Sequence, residues 1–159
     1  MAKEIERKYL VISDEWRGLS EGIMYRQGYL SSQKKRIVRI RTIHDKGFVT
    51  IKGMNSGITR AEYEYEIPLA DANEMLDSLC LKPLIEKKRY KIIYEGLTWE
   101  VDEFFSENLG LIIAEIELKS EDQKIPKPKW LGEEVSYQSK YFNANLIQHP
   151  YITWNKNDE

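Results

Sequence analysis

Charged side chains recur at every second position in this sequence, and this alternation constrains the fold more than any other feature. It is clearest over residues 4–8, 39–41, 62–66 and 115–117, where the intervening residues are mostly apolar. Side chains two residues apart point to the same face of a β-strand, whereas on a helix they do not share a face. The chain is therefore predicted to consist mainly of strands that each carry one charged face and one largely apolar face.

Eight candidate strands follow from this alternation, with residue ranges 3–12, 25–31, 36–43, 48–53, 60–68, 85–94, 98–105 and 111–119. Turn-forming residues mark the links at 44–47, 55–57 and Glu95-Gly96. Short links join antiparallel neighbours, and closing a sheet on itself removes its exposed edges. The pattern predicts a mainly β (α+β) fold, a closed or nearly closed antiparallel barrel with a few flanking helices. A two-sheet sandwich remains an alternative.

Two helical segments and a connector complete the predicted organisation. Asp71 is a suitable N-cap for a helix that Pro83 would end, because apolar residues at helical spacing lie between them. Residues 120–159 no longer alternate, and they are predicted to form an extended connector and then a short helix over 141–148. With 159 residues in total, the chain is expected to fold as a single domain, 1–159.

Charge and cysteine content exclude several classes of protein. The 24 basic and 26 acidic residues give a net charge of -2, whereas a duplex-DNA-binding protein usually carries a strong basic excess. No run of 18 apolar residues marks a membrane span, and the first eight residues lack the apolar core of a secretion signal. The lone cysteine, Cys80, lies between Leu79 and Leu81, so we expect it to be buried in a protein of the reducing cytoplasm.

The charged strand faces have two interpretations. On a single antiparallel strand, the charged face is usually the one exposed to water. Here, however, like charges repeat along a strand, which is repulsive unless opposite charges lie nearby, and bases and acids dominate different strands. Such segregation would suit a metal–polyphosphate complex, because carboxylates bind Mg²⁺ or Mn²⁺ and basic side chains bind phosphate oxygens. The alternation alone does not decide between the two interpretations.

A second feature of the sequence is an ordered series of short motifs along the chain. It consists of Glu4-Ile5-Glu6-Arg7-Lys8, Arg26-Gln27-Gly28-Tyr29-Leu30, Val38-Arg39-Ile40-Arg41, Thr50-Ile51-Lys52-Gly53, residues 60–66, Glu86-Lys87-Lys88-Arg89-Tyr90, Glu100-Val101-Asp102, Ala114-Glu115-Ile116-Glu117, Gly132-Glu133-Glu134-Val135 and Lys140-Tyr141. Each motif alone is weak, but the ordered set covers nearly the whole chain. It resembles the CYTH superfamily, the triphosphate tunnel metalloenzymes, and most of all its short bacterial members that hydrolyse inorganic tripolyphosphate.

The resemblance implies an eight-stranded antiparallel barrel whose interior is a charged tunnel. It assigns the binding of triphosphate oxygens to Lys8, Arg39, Arg41, Lys52, Lys87, Arg89 and Lys140. It assigns the binding of divalent cations, Mg²⁺ or Mn²⁺, to Glu4, Glu6, Glu62, Glu64, Asp102, Glu115 and Glu117.

The resemblance also implies a catalytic pair, Lys8 and Tyr29. A free phenol ionises only near pH 10, so we favour an attacking water that a carboxylate such as Glu4, Glu6 or Glu117 orients.

Several charged residues are expected to lie outside this site or to depart from the family pattern. Lys140 stands where the family's C-terminal motif is expected to carry arginine, and lysine loses the forked contact that a guanidinium makes. Glu133 and Glu134 are predicted to be surface acids rather than a seal at one tunnel end. Glu103 lies on the apolar face of its strand, so it is expected to be exposed and outside the tunnel.

The sequence thus predicts a metal-dependent enzyme that cleaves tripolyphosphate to pyrophosphate and phosphate. Its expected partner is a small triphosphate, with no duplex nucleic acid and no membrane, and it is expected to be a monomer or a homodimer. A class IV adenylate cyclase, or a thiamine or nucleoside triphosphatase, remains open on the same fold. A non-catalytic module that binds polyphosphate or RNA ends is a further alternative, but carboxylates without a metal would hinder anion binding.

Overall fold

One antiparallel sheet curled into a ring forms the framework of the protein. The computed structural model describes residues 2–154. Its strands are β1 (Lys3–Val11), β2 (Gly22–Gln33), β3 (Arg36–Ile43), β4 (Lys46–Lys52), β5 (Thr59–Ile67), β6 (Ile85–Tyr94), β7 (Leu97–Phe104), β8 (Ile112–Glu117) and β9 (Leu131–Glu134). Its helices are α1 (Leu69–Ser78) and α2 (Asn143–Leu146), with 3-10 turns at Ser106–Asn108, Ser139–Tyr141 and Tyr151–Thr153.

The strand order closes the sheet. Around the ring the order is β5-β4-β3-β2-β6-β7-β8-β1, and β1 pairs again with β5. This closing contact is short, since it runs only from Lys3 opposite Ala61 to Ile5 opposite Thr59. Beyond it, β1 pairs with β8 on one side and with β9 on the other. The predicted mainly β fold with eight strands in a ring is confirmed, and the single continuous sheet excludes the two-sheet sandwich.

The structure differs from the sequence prediction in three details. Strand β9 lies inside the segment predicted to be an extended connector. Helix α1 begins after Pro68 rather than after Asp71, which lies in the first turn, where its negative charge complements the helix dipole. Helix α2 covers only Asn143–Leu146 of the predicted range 141–148.

Two-residue turns join neighbouring strands at two of the predicted links. Glu95 and Gly96 connect β6 to β7 as predicted, with φ values of 48° and 79°. Two positive φ angles suit the right-handed twist of the flanking strands. The turn between β3 and β4 is shorter than the predicted link 44–47, because pairing continues to Lys46 and leaves only His44 and Asp45 unpaired.

Apolar side chains pack in three separate clusters. The largest lies on the outer face of β1, β6, β7 and β8, beneath Trp16 and Trp130. A second lies where the C-terminal segment covers one end of the ring, and a third lies between α1 and the outer face of β3. Cys80 is buried in this third cluster, as predicted. No helix within residues 2–154 has the length and apolar character needed to cross a membrane.

Trp99 is expected to be essential for the packing of the largest cluster. Its side chain is inaccessible to solvent, and its ring meets those of Tyr9 and Trp130 edge to face, with centroids 5.5 and 6.0 Å away. Trp99→Ala should lower the free energy of unfolding in urea by about 3–5 kcal/mol, because it leaves a large cavity. Ile93→Ala, at a position 76% exposed, should change it by less than about 0.5 kcal/mol. Equal losses for the two variants would contradict this assignment of the core.

Candidate active site

The inner face of the ring surrounds a cavity of about 540 Å³ whose wall is densely charged. Its cationic lining includes Lys8, Arg39, Arg41, Lys52, Arg60, Lys87 and Arg89. Its acidic lining consists of Glu4, Glu6, Glu62, Glu64, Glu100, Glu115 and Glu117. The charged faces of these strands therefore point into the ring, and their apolar faces point outward. The interpretation that these charges simply face water is wrong for this part of the chain.

The cations gather around one buried aromatic ring on β2. The guanidinium carbons of Arg41 and Arg89 each lie 5.0 Å from the ring centre of Tyr25, which thus lies in contact with both like charges. Asp102, inaccessible to solvent, accepts two hydrogen bonds from Arg89, at 2.7 and 2.8 Å, and forms an ion pair with Lys87 at 2.8 Å. Asp102 therefore contacts two of these cations, and Arg89 also forms ion pairs with Glu100 at 3.3 Å and Glu115 at 3.5 Å.

The positive charges of Lys87 and Arg41 are incompletely compensated by their partners. Burial lowers the pKa of Lys87 to about 7, and the charges of Arg89 and Arg41 contribute to the shift. Burial, with the neighbouring Arg39 and Arg89, likewise lowers the pKa of Arg41 to about 10. The Nε of Arg39 is also buried without a hydrogen-bond partner among the described residues. An anion with several oxygens would supply the charge and the acceptors that this group lacks.

The acids gather on the neighbouring strands β1, β5 and β8. Glu6 lies opposite Glu117, and Lys8 lies opposite Glu115, in the pairing of β1 with β8. The Nζ of Lys8 donates to Glu6 at 3.1 Å and to Glu115 at 2.8 Å. Burial and the charge of Glu115 raise the pKa of Glu6 to about 7. Burial also raises the pKa of Glu117. The carboxylates of Glu6 and Glu117 are thus incompletely compensated. Although burial opposes it, Lys52 lowers the pKa of Glu4 to about 2, and Lys8 and Arg89 lower the pKa of Glu115.

The donor chemistry of the acidic group fits a hard divalent cation. Mg²⁺ and Mn²⁺ prefer carboxylate oxygens, and a cation would favour the ionised form of acids whose pKa values are raised. Lysines hold several of these carboxylates, since Lys52 pairs with Glu4 at 2.9 Å and with Glu62 at 3.2 Å. In this ion-paired arrangement, no three acidic, histidine or cysteine side chains of residues 2–154 converge on one ion position. The carboxylates are therefore suitable ligands that would have to release their lysine partners.

Two predicted site residues do not line the cavity. Asp102 lies behind Arg89 and Lys87, whereas its neighbour on the same strand face, Glu100, lines the cavity. Lys140 lies outside, with its Nζ 4.7 Å from the ring centre of Trp154. The other predicted residues, including Tyr29, line the cavity together.

The predicted pair of Lys8 and Tyr29 is not joined by a hydrogen bond among the described residues. Lys8 bonds to two carboxylates, and the hydroxyl of Tyr29 accepts a hydrogen bond from Gln27 at 3.3 Å. Although burial opposes it, the carboxylates of Glu115 and Glu6 raise the pKa of Lys8 well above its ordinary value. Lys8 is therefore a permanent cation and not a base.

The remaining predicted acids lie outside the cavity. Glu133 is exposed, and Glu134 forms an ion pair with Arg7 at 2.7 Å and is only half-buried. Glu103 lies outside as predicted, but the expectation that it is exposed is wrong, because both terminal nitrogens of Arg17 cover it, at 3.1 and 3.2 Å.

Sequence reasoning missed several lining residues. Tyr25 is uncharged, so the alternation of charges does not mark it, although it shares a strand face with Tyr29. Arg60 shares the face of Glu62 and contacts Glu4 at 3.3 Å, so the same alternation could have identified it. Asn143 comes from the C-terminal segment, and no local pattern places that segment against the cavity.

Replacing Glu6 by glutamine is expected to stabilise the metal-free protein at high pH. The pKa of Glu6 rises from 4.5 to about 7 on folding, so ionising it costs free energy in the folded state, and this cost grows between those pH values. In chelator, Glu6→Gln should match the parent's melting temperature at about pH 4 and exceed it by several degrees at about pH 8. The exposed Glu133→Gln serves as the control. A pH-independent difference between Glu6→Gln and the parent would contradict the crowding of carboxylates.

Comparison with known proteins agrees with this geometry. An inorganic triphosphatase of Acetivibrio thermocellus is 54% identical over 151 residues, which cover 95% of this chain and 97% of that protein. An inorganic triphosphatase of Nitrosomonas europaea is 35% identical, covering 90% and 95%. The solved structure of the inorganic triphosphatase NE1496 has a TM-score of 0.65 at 30% identity, covering 90% and 96%. The CYTH domain matches residues 2–151, and the chain thus belongs to the CYTH family, as its motifs predicted.

Proposed function

We propose that this protein hydrolyses inorganic tripolyphosphate to pyrophosphate and phosphate inside the charged cavity. One observation carries the proposal: the incompletely compensated cations Arg41 and Lys87 and the crowded carboxylates of Glu6 and Glu117 line one cavity. A polyanion with a divalent cation neutralises both groups at once. Two relatives that match nearly the whole chain are named inorganic triphosphatases, which supports the same activity.

The triphosphate is proposed to bind along the cationic group. Arg41 and Arg89 offer planar guanidinium donors, and Lys87 adds a point charge beside them. Arg39 supplies a buried donor without a partner among the described residues. Lys8, Lys52 and Tyr29 line the same cavity and are proposed to contact the substrate as well. Asp102 is proposed to hold Arg89 and Lys87 in position rather than to bind metal.

The cation is proposed to bind among the carboxylates, namely Glu4, Glu6, Glu62, Glu64, Glu115 and Glu117. Membership of the CYTH family implies a divalent metal, and we propose Mg²⁺ or Mn²⁺ because both prefer carboxylate oxygens. When bound, such a cation would neutralise phosphate charge and lower the pKa of a nearby water.

Glu6 is proposed to accept the proton of the attacking water. Without metal, burial and the charge of Glu115 raise the pKa of Glu6 to about 7. A cation bound nearby would lower this pKa and keep Glu6 ionised, so that it can accept a proton near neutral pH. Lys8 engages only its Oε1, which leaves the other oxygen for the water proton. The water oxygen forms a bond to the terminal phosphorus, the bridging P–O bond breaks, and pyrophosphate leaves. Lys8, held as a cation, would stabilise the charge that develops on the phosphate oxygens.

The activity itself is tested by measuring phosphate release from several triphosphates. Tripolyphosphate should be cleaved faster than ATP, GTP or thiamine triphosphate in the presence of Mg²⁺ or Mn²⁺, and a chelator should stop the reaction. If none of these compounds releases phosphate, the proposal is overturned. Formation of cyclic AMP from ATP would instead identify a cyclase.

Variants of the two charged groups should have different kinetic effects. Arg41→Ala should raise the KM for tripolyphosphate at least about tenfold at saturating metal, because a phosphate contact is lost. Glu117→Gln should raise the metal concentration needed for half-maximal activity by a similar factor, about tenfold. If both variants retained the parent's KM and metal requirement, the assignment of the cavity would be wrong.

Asp102→Asn separates a positioning role from metal binding. The variant retains the shape of the side chain but removes the charge that holds Arg89 and Lys87. We expect the KM for tripolyphosphate to rise about tenfold while the metal requirement stays within about twofold. A metal requirement raised as much as in Glu117→Gln would show instead that Asp102 is a ligand, as the sequence had predicted.

A further inference from the structure

A neutral amide, Gln27, lies behind the lining of the cavity, against Arg41, and is inaccessible to solvent. Both ends of its side chain are hydrogen-bonded. Its Oε1 accepts from the Nε of Arg41 at 2.8 Å, and its Nε2 donates to the Oδ1 of Asn143 at 3.1 Å and to the hydroxyl of Tyr29 at 3.3 Å. A buried amide with all of these contacts is fixed in position, since any rotation would leave polar atoms unpaired.

Asn143 continues this chain of contacts to a second cation. It is the first residue of α2, in the segment that covers one end of the ring, and its side chain lines the cavity. Its Oδ1 accepts from both Gln27 and the Nζ of Lys87, the latter at 3.0 Å. Arginine and lysine only donate, so the oxygen of each amide must face its cation. The two amides therefore form one consistently oriented link between Arg41 and Lys87.

Arg41 differs from its neighbouring cations in the kind of partner it has. Arg89 forms an ion pair with Asp102, and Lys52 forms one with Glu4, so carboxylates compensate the charges of both cations. Within residues 2–154, Arg41 forms no ion pair, and Gln27 is its hydrogen-bond partner. The amide uses only the Nε, which leaves the two terminal nitrogens of Arg41 and its full charge for a ligand. The ring of Tyr25 also contacts Arg41, but the bond to Gln27 sets the direction of the guanidinium against the repulsion from Arg89.

We propose that Gln27 is a positioning residue for Arg41, and that Asn143 is a second one that fixes Gln27 and Lys87. Together they hold two cations in a preset geometry towards the triphosphate without adding a negative charge to the pairing that Lys87 already has with Asp102. This inference rests on the proposed function, and specifically on the contact between Arg41 and the substrate. Gln27 and Asn143 are neutral and contact Arg41 and Lys87, whereas the charged residues themselves are proposed to bind the substrate and the metal.

The test is a double-mutant cycle on the holoenzyme with tripolyphosphate and saturating Mg²⁺. Gln27→Met retains the length of the side chain but removes the bond to Arg41. It should raise KM about tenfold and leave kcat within about twofold, since Arg41 is proposed to bind ground state and transition state alike. In an Arg41→Lys background, which already lacks the Nε contact, Gln27→Met should change KM by less than about twofold.

Asn143→Ala keeps the test decisive if the buried Gln27→Met variant fails to fold. Asn143 is only half-buried, and its loss should raise KM about threefold, through Gln27 and Lys87 together. Gln148→Ala is the matched control, because this amide lies in the same C-terminal segment but is exposed and bonds to Ser32. It should retain the parent's KM. Thermal unfolding of each variant separates a loss of structure from a change in binding.

The outcomes distinguish this inference from the proposed function. If Arg41→Lys raises KM but Gln27→Met and Asn143→Ala do not, the positioning role is overturned and the proposed function stands. If Gln27→Met raises KM by the same factor in both backgrounds, Gln27 acts independently of Arg41 and the inference is also overturned. If Arg41→Lys itself leaves KM unchanged, the assignment of Arg41 fails, and the positioning role fails with it.

Discussion

The structure depends on one electrostatic constraint, the enclosure of like charges inside a closed ring. Charges removed from water need partners, and here the partners come from the same strand, the neighbouring strand or the next strand but one. Lys8 between Glu6 and Glu115, and Asp102 between Arg89 and Lys87, show how single residues hold like-charged neighbours together. The compensation is incomplete on both sides, and the residual charges of opposite sign are what give the cavity its affinity for ligands.

Aromatic and amide side chains complement these ion pairs. Tyr25 offers its ring to two guanidinium groups, which stabilises both cations without cancelling their charge. The hydrogen bond from Arg41 to Gln27 likewise stabilises a cation without cancelling its charge. Neutral partners therefore hold cations in place and leave their charge for a ligand. Carboxylate partners hold cations more strongly but compensate part of that charge. The cavity uses both kinds of support.

The sequence predicted much of the fold, because alternation with period two marks both the strands and the residues that share a face. The alternation could not predict which face points inward, since an outward charged face has the same pattern. The resemblance of the motifs to the family predicted that the charged faces point inward. Glu100 and Asp102 share a face, yet only Glu100 lines the cavity, because depth along the ring depends on strand tilt and stagger. The placement of Lys140 and Asn143 depends on how the C-terminal segment packs, which no local pattern encodes.

The apolar clusters lie on the outer side of the strands and at one end of the ring, whereas the charges lie within. In most small domains, one core provides both the rigidity and the walls of the site, so a change of specificity disturbs packing. Over most of the ring, the charges that line the cavity and the side chains of the first and third clusters occupy opposite faces of the same strands. Towards the end covered by the C-terminal segment, however, apolar residues such as Ile85 and Phe104 share the inner face. A substitution at an inner position outside the buried ion pairs, such as Glu117, therefore changes the charge of the cavity without opening a void in the outer clusters. At such positions, the charge pattern of the interior and the packing of the exterior can be altered independently.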